Sequence, residues 1–80
     1  MVVVYGTSWC AETQIIRRHL ERLGVPYRYV DIERDPLAAA QLRWWSGGRA
    51  RHPTVSIDGT ILIEPTLDEL ERALAEAARI

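Results

Sequence analysis

The chain has a single cysteine, no lysine, and no apolar run of membrane-spanning length. One cysteine excludes an internal disulfide and a self-contained cysteine-rich zinc centre. Packing alone must therefore hold the 80 residues together. Without about 18 consecutive apolar residues, no segment crosses a bilayer as a helix. The opening MVVVYGTSW carries no basic leader and no cleavage pattern, so it reads as a strand and not as a signal peptide. A cytoplasmic location and no membrane partner are expected. A net charge of −1 gives no electrostatic case for nucleic acid as a partner. All ten basic residues are arginine, whose fork suits carboxylate and phosphate; coding bias in a GC-rich genome is the plainer explanation. There is no linker, repeat or low-complexity stretch, and residues 1–80 read as one domain.

Val2 to Tyr5 form a β-branched run, as in a strand buried on both faces. From about Cys10 to Leu23 the spacing predicts a helix, with Ile16, Leu20 and Leu23 on its buried stripe and Gly24 closing it. Tyr27 to Ile32 alternate as a second strand. Asp35 followed by Pro36 starts a second helix, and Gly47-Gly48 ends it. PTVSIDGTILIE predicts two short strands joined at Asp58-Gly59. TLDELERALAEAARI predicts a last helix, with a capping box between Thr66 and Glu69 and a buried stripe of Leu67, Leu70, Leu74 and Ala77. The order β-α-β-α-β-β-α demands a right-handed parallel crossover followed by an antiparallel hairpin. The expected fold is α/β: a four-stranded mixed sheet with helices on both faces, the smallest form of the thioredoxin fold.

Cys10 falls where the first strand turns into the first helix. Helix starts present unpaired N–H groups and partial positive charge, which favour a thiolate, the nucleophilic form. Glu12 opposes this as a nearby like charge, and also reads as a plain first-turn acid. A lone cysteine is most often a small buried hydrophobe. Against that, the carboxyl end of a strand in an α/β sheet is where ligands bind.

YGTSWC before a helix, VDIERDPLAAA, a Gly-Gly pair, Pro53-Thr54-Val55 and Asp58-Gly59 together resemble the glutaredoxins. The short actinobacterial type called mycoredoxins is the best match, over nearly the whole chain. The family motif C-x-x-C is here C-A-E-T. The resemblance implies that Cys10 attacks a mixed disulfide between a protein and a small thiol. It keeps the small thiol and is regenerated by a second one. Thr13, in place of the second cysteine, removes the dithiol route and leaves this monothiol route open; its hydroxyl is a candidate hydrogen-bond donor to the sulfur. Ala11, Glu12 and Gln14 stand where proline, an aromatic and a basic residue are common. The implied co-substrate is mycothiol or glutathione, with no tightly bound cofactor, no metal and a monomeric state. The implied protein partners are thiol-conjugated or oxidised proteins.

The resemblance also makes Pro53 cis and opposite the thiol, with the His52 backbone pairing to substrate as an added strand. The His52 ring is either an exposed bystander or a partner of the sulfur. Trp9 is expected to shield one side of the thiol. Arg51, or its neighbour Arg49, is expected to meet a carboxylate of the small thiol. Thr66 and Asp68 correspond to the family's last substrate loop; Thr66 also reads as a helix cap and Asp68 as a plain first-turn acid. Of Trp44 and Trp45, one is expected inside and one exposed. His19, mid-helix among arginines, reads as solvated or half-buried. Two rival functions remain: a redox-inactive thioredoxin-fold binding module, and an iron–sulfur or metal carrier ligating through Cys10.

Overall fold

The structure, a computed structural model, describes residues 1–79. The elements are β1 (Val2–Gly6), α1 (Ala11–Leu23), β2 (Arg28–Asp31), α2 (Pro36–Trp45), β3 (Thr54–Ile57), β4 (Thr60–Ile63) and α3 (Leu67–Ala77). The sheet order is β2-β1-β3-β4. β1 and β2 are parallel, as the α1 crossover requires; β3 runs antiparallel to β1, and β4 to β3. The α/β thioredoxin-type architecture expected from the sequence is therefore present.

Alternation along β1 divides its side chains between two layers. Val2 and Val4 are buried on one face, together with Val55 and Ile57 of β3. Ile16 and Leu20 of α1 and Leu70 of α3 close over them. On the other face Tyr5 meets Trp45 of α2 edge-on, with ring centroids 5.5 Å apart. That second face is only half-buried at Val3 and Tyr5, because one helix covers it. Burial of β1 on both faces was expected and holds fully for one.

The predicted ends are met by specific bonds. Asp35 caps α2 by accepting from the Ala38 N–H at 3.0 Å. Thr66 and Glu69 form the reciprocal capping box of α3, with bonds of 3.1 and 2.8 Å. The β3–β4 hairpin turns through Asp58 and Gly59 at φ 48° and 90°, the positive region that two-residue hairpins use.

Two stripe assignments differ from expectation. Leu23 is 47% exposed, and the buried stripe of α1 begins instead at Thr13 and continues through Ile16 and Leu20. The interface lies toward the start of the helix, where it leaves the sheet. Ala77 is exposed, and Ala73, one turn earlier, packs against the core instead. Ile80, the last residue of the predicted helical segment, lies outside the described residues. Trp45 packs inward and Trp44 is 82% exposed, as the helical phase implied.

Candidate functional site

Chain direction gathers one end of the molecule. The carboxyl ends of β1, β2 and β4 and the start of β3 share one edge of the sheet. α1 and α3 also begin there. The turn with Trp9 and Cys10, the loop with Arg51, His52 and Pro53, and the start of α3 with Thr66 and Asp68 all adjoin that edge.

Cys10 is the N-cap residue of α1, with extended backbone (φ −80°, ψ 118°). Its N–H donates to the Thr7 carbonyl at 3.4 Å, and its own carbonyl accepts from Gln14 N–H at 3.2 Å. The thiol makes no side-chain capping bond to the helix. Cys10 is buried, at 8% exposed. Ala11 and Glu12 follow on the exposed first turn.

Thr13 does not stand beside the thiol as a hydrogen-bond donor. It is fully buried, and its Oγ1 has no partner. The side chain lies against Gly6: a Cβ on that glycine would fall 2.4 Å from Thr13 Cγ2 and 2.5 Å from Thr13 Oγ1. The position of the second cysteine in C-x-x-C is thus an interior packing position here. The expectation that the hydroxyl donates to the sulfur is corrected. The third residue of a helix started from β1 points back at the strand it came from.

The His52–Pro53 bond is cis. Thr54 pairs with Tyr5 in the β1–β3 register, so buried Pro53 follows opposite the end of β1, where the Cys10 turn begins. The two loops touch: the Trp9 and His52 rings meet edge-to-face at 5.4 Å and 86°. Trp9 remains 67% exposed. It is therefore a wall on the solvent side and not a lid. His52 is half-buried, and its Nδ1 is enclosed without a hydrogen-bond partner. The ring is thus neither an exposed bystander nor bonded to the sulfur.

Arg51 is exposed but occupied. Its guanidinium donates to Glu64 Oε2 at 3.2 Å across the loops before β3 and after β4. Glu64 N–H donates to the Pro53 carbonyl at 2.9 Å, joining the same loops through the backbone. Sequence reasoning had no signal for this pair, because its members are brought together only by the hairpin. Thr66 commits its hydroxyl to Glu69, whose carboxyl is held below its ordinary value by the Thr66 backbone N–H and then its hydroxyl. Asp68 is exposed on the first turn of α3.

A further network lies along α1. The Gln14 carboxamide donates to the carbonyls of Ser8 (3.2 Å) and Thr7 (3.5 Å). Arg17 sits 3.9 Å over the Tyr29 ring and donates to the Tyr27 hydroxyl at 3.1 Å. Burial raises the Tyr29 phenol above its ordinary value, and Asp31 adds to that rise. His19, half-buried as expected, bonds Glu71 of α3 at 2.7 Å.

No group of three or more His, Cys, Asp or Glu side chains suited to a metal occurs among the described residues. A cavity of about 680 Å³ lies between the β3–β4 hairpin and α3, and one of about 470 Å³ beside Met1 and Val25–Arg28. Neither cavity is lined by Cys10. No described helix is long and apolar enough to cross a membrane.

A lone cysteine at the N-cap position of the first helix of a four-stranded mixed sheet, with a cis-proline loop entering the same sheet edge, is the arrangement of a thioredoxin-fold protein. The glutaredoxin family model matches residues 2–62, and the chain belongs to the glutaredoxin family. That family and fold point to thiol–disulfide oxidoreductase activity. The thioredoxin-like protein BC3987 is 25% identical, over 90% of this chain and 97% of that one, with a TM-score of 0.80. A glutaredoxin from Archaeoglobus fulgidus shares the fold at 20% identity, over 91% and 84% of the two chains, with a TM-score of 0.79. Buckwheat glutaredoxin, solved as a glutathione complex, shares it at 23% identity over 99% and 80%, with a TM-score of 0.73. No curated protein matches the sequence.

Proposed function

We propose that the chain is a monothiol oxidoreductase that removes a small thiol from protein mixed disulfides. The observation that carries this reading is the pairing of positions 10 and 13. The one cysteine stands at the N-cap position of a helix whose turn touches the cis-Pro53 loop, while the place of a second cysteine is filled by interior threonine.

The reaction needs one cysteine. The Cys10 thiolate attacks the small-thiol sulfur of the mixed disulfide. A new Cys10–S–S bond forms, the old S–S bond breaks, and the protein leaves as thiolate. A second small thiolate then attacks the sulfur bound to Cys10. The products are the symmetric disulfide of the small thiol and free Cys10 thiolate. Each step exchanges one disulfide for another, so electrons balance without a further oxidant.

The start of α1 favours negative charge on the sulfur. The His52 backbone and Pro53 lie where an extended substrate strand would add. Trp9 and His52 form one wall; Ala11 and Glu12 border the other side. In this reading Arg51, with Thr66 and Asp68, meets polar groups of the small thiol, and Arg51 exchanges its Glu64 partner to do so. The glutathione bound by the buckwheat relative supports a small-thiol co-substrate. The mycoredoxin-like sequence pattern favours mycothiol in that role. A monomeric cytoplasmic enzyme with no tightly bound cofactor completes the reading.

Steady-state turnover of peptides conjugated to glutathione and to mycothiol tests it. Wild-type protein releases reduced peptide from one of them, and Cys10→Ser releases none. Equal rates for the two proteins would overturn the proposal and leave a binding module.

A further inference from the structure

The turn that presents Cys10 is held from the next turn of its own helix. The Gln14 carboxamide nitrogen carries two N–H groups and no charge. Its two acceptors, the Ser8 and Thr7 carbonyls, belong to the turn that leads into α1. The Thr7 carbonyl also accepts the Cys10 N–H. One side chain thus binds the same short turn that fixes the N-cap cysteine and aims Trp9.

The carboxamide is itself held. Arg17 donates to Gln14 Oε1 at 3.5 Å, which leaves the nitrogen facing the carbonyls. Arg17 is fixed from the sheet side by the Tyr29 face at 3.9 Å and the Tyr27 hydroxyl at 3.1 Å. Tyr27 in turn donates to Glu21 Oε2 at 2.6 Å. The chain Tyr29–Arg17–Gln14–Ser8 runs from β2 to the thiol turn without a break. Gln14 and Arg17 point off the buried stripe of α1, so the core does not require them.

We infer that Gln14 is a positioning residue for Cys10: it clamps the Thr7–Ser8 turn through two carbonyls and is oriented by Arg17 on the Tyr29 ring. The consequence for reactivity rests on the proposed exchange reaction, but the clamp itself does not.

The test uses two variants of similar length and helix propensity. Gln14→Met keeps the volume and removes both donors. Gln14→Glu removes the donors, turns a carboxylate toward two carbonyls, and keeps the pairing with Arg17. Amide hydrogen exchange at Cys10, whose N–H bonds the clamped Thr7 carbonyl, is measured beside thermal unfolding, and kcat and KM are measured for the preferred conjugate. In both variants exchange at the Cys10 amide rises roughly three- to tenfold, the loss expected from one to two modest hydrogen bonds, while exchange in β1 and β3 stays unchanged. A fall in kcat at constant KM accompanies it. Wild-type exchange at Cys10 in Gln14→Met overturns the clamp. Raised exchange with unchanged kcat overturns the positioning role. If wild-type protein turns over neither conjugate, the proposed function fails, and the exchange data still decide the clamp.

Discussion

Replacing Gly6 with alanine tests whether position 13 is a packing site or a reactive one. The added Cβ would lie 2.4 and 2.5 Å from the two γ atoms of Thr13, and 3.0 Å from its Cβ. Gly6 has an ordinary φ, so the objection is steric alone. Thr13 is enclosed on all sides and cannot swing away. Overpacking of this kind costs about 3 kcal/mol, the upper part of its range. That is a large share of the roughly 4–12 kcal/mol expected for a domain of this size. At about 4–8 °C per kcal/mol, the midpoint of thermal unfolding falls by roughly 12–24 °C. Thr13→Ala alone loses a buried methyl, about 0.8 kcal/mol, and removes an unpartnered hydroxyl, which offsets much of that. The double variant removes both γ atoms and leaves only the 3.0 Å approach, so relief is large but partial. A double-mutant cycle by urea denaturation then gives a favourable coupling of about 1.5 kcal/mol or more. Additive costs, or a Gly6→Ala midpoint equal to wild type, would refute the packing assignment.

Thr13→Val replaces the orphaned hydroxyl with a methyl of the same shape. Stability rises by about 1 kcal/mol in urea unfolding, and conjugate turnover stays at the wild-type rate because the hydroxyl does not reach the sulfur. Arg51→Ala raises KM for the small thiol several-fold with little change in kcat; a wild-type KM means that Arg51 serves only Glu64. The depressed Glu69 carboxyl contributes stability that is fully present above its unfolded value near 4.5 and lost as pH falls through its lower folded value. Comparing acid unfolding of wild type with Glu69→Gln shows that difference, with the two curves converging at the acid end. Tyr27 and Tyr29 are both raised above 10.0, chiefly by burial. An ultraviolet titration therefore finds two tyrosines ionising late, and stability falling as pH rises through their folded values.

Local pattern carried much of the fold. The Val2–Tyr5 run, the Asp35-Pro36 start, the Asp58-Gly59 turn and the Thr66–Glu69 box each depend on residues close in sequence, and each is present. Crossover handedness then left little freedom in the sheet order. The stripe errors at Leu23 and Ala77 arose because helical periodicity shows which face is apolar, not where along the helix the sheet ends. The site was legible at Cys10, through its strand-to-helix position, and at Pro53, through resemblance. Trp9–His52, Arg51–Glu64 and His19–Glu71 were not legible. Each joins residues more than a dozen positions apart, and no local spacing encodes such a contact. Gln14 was noted only for replacing a basic residue, yet its neutral carboxamide is what lets it donate to two carbonyls at once.

The most direct test of the central claim is the intact mass of the protein after one turnover. Reduced protein is mixed with an equimolar peptide conjugated to glutathione or mycothiol, quenched with acid and weighed. The account predicts a protein carrying the small thiol on Cys10, with the peptide released in reduced form. Unmodified protein at every pH tried, or an adduct with the peptide in place of the small thiol, would contradict it.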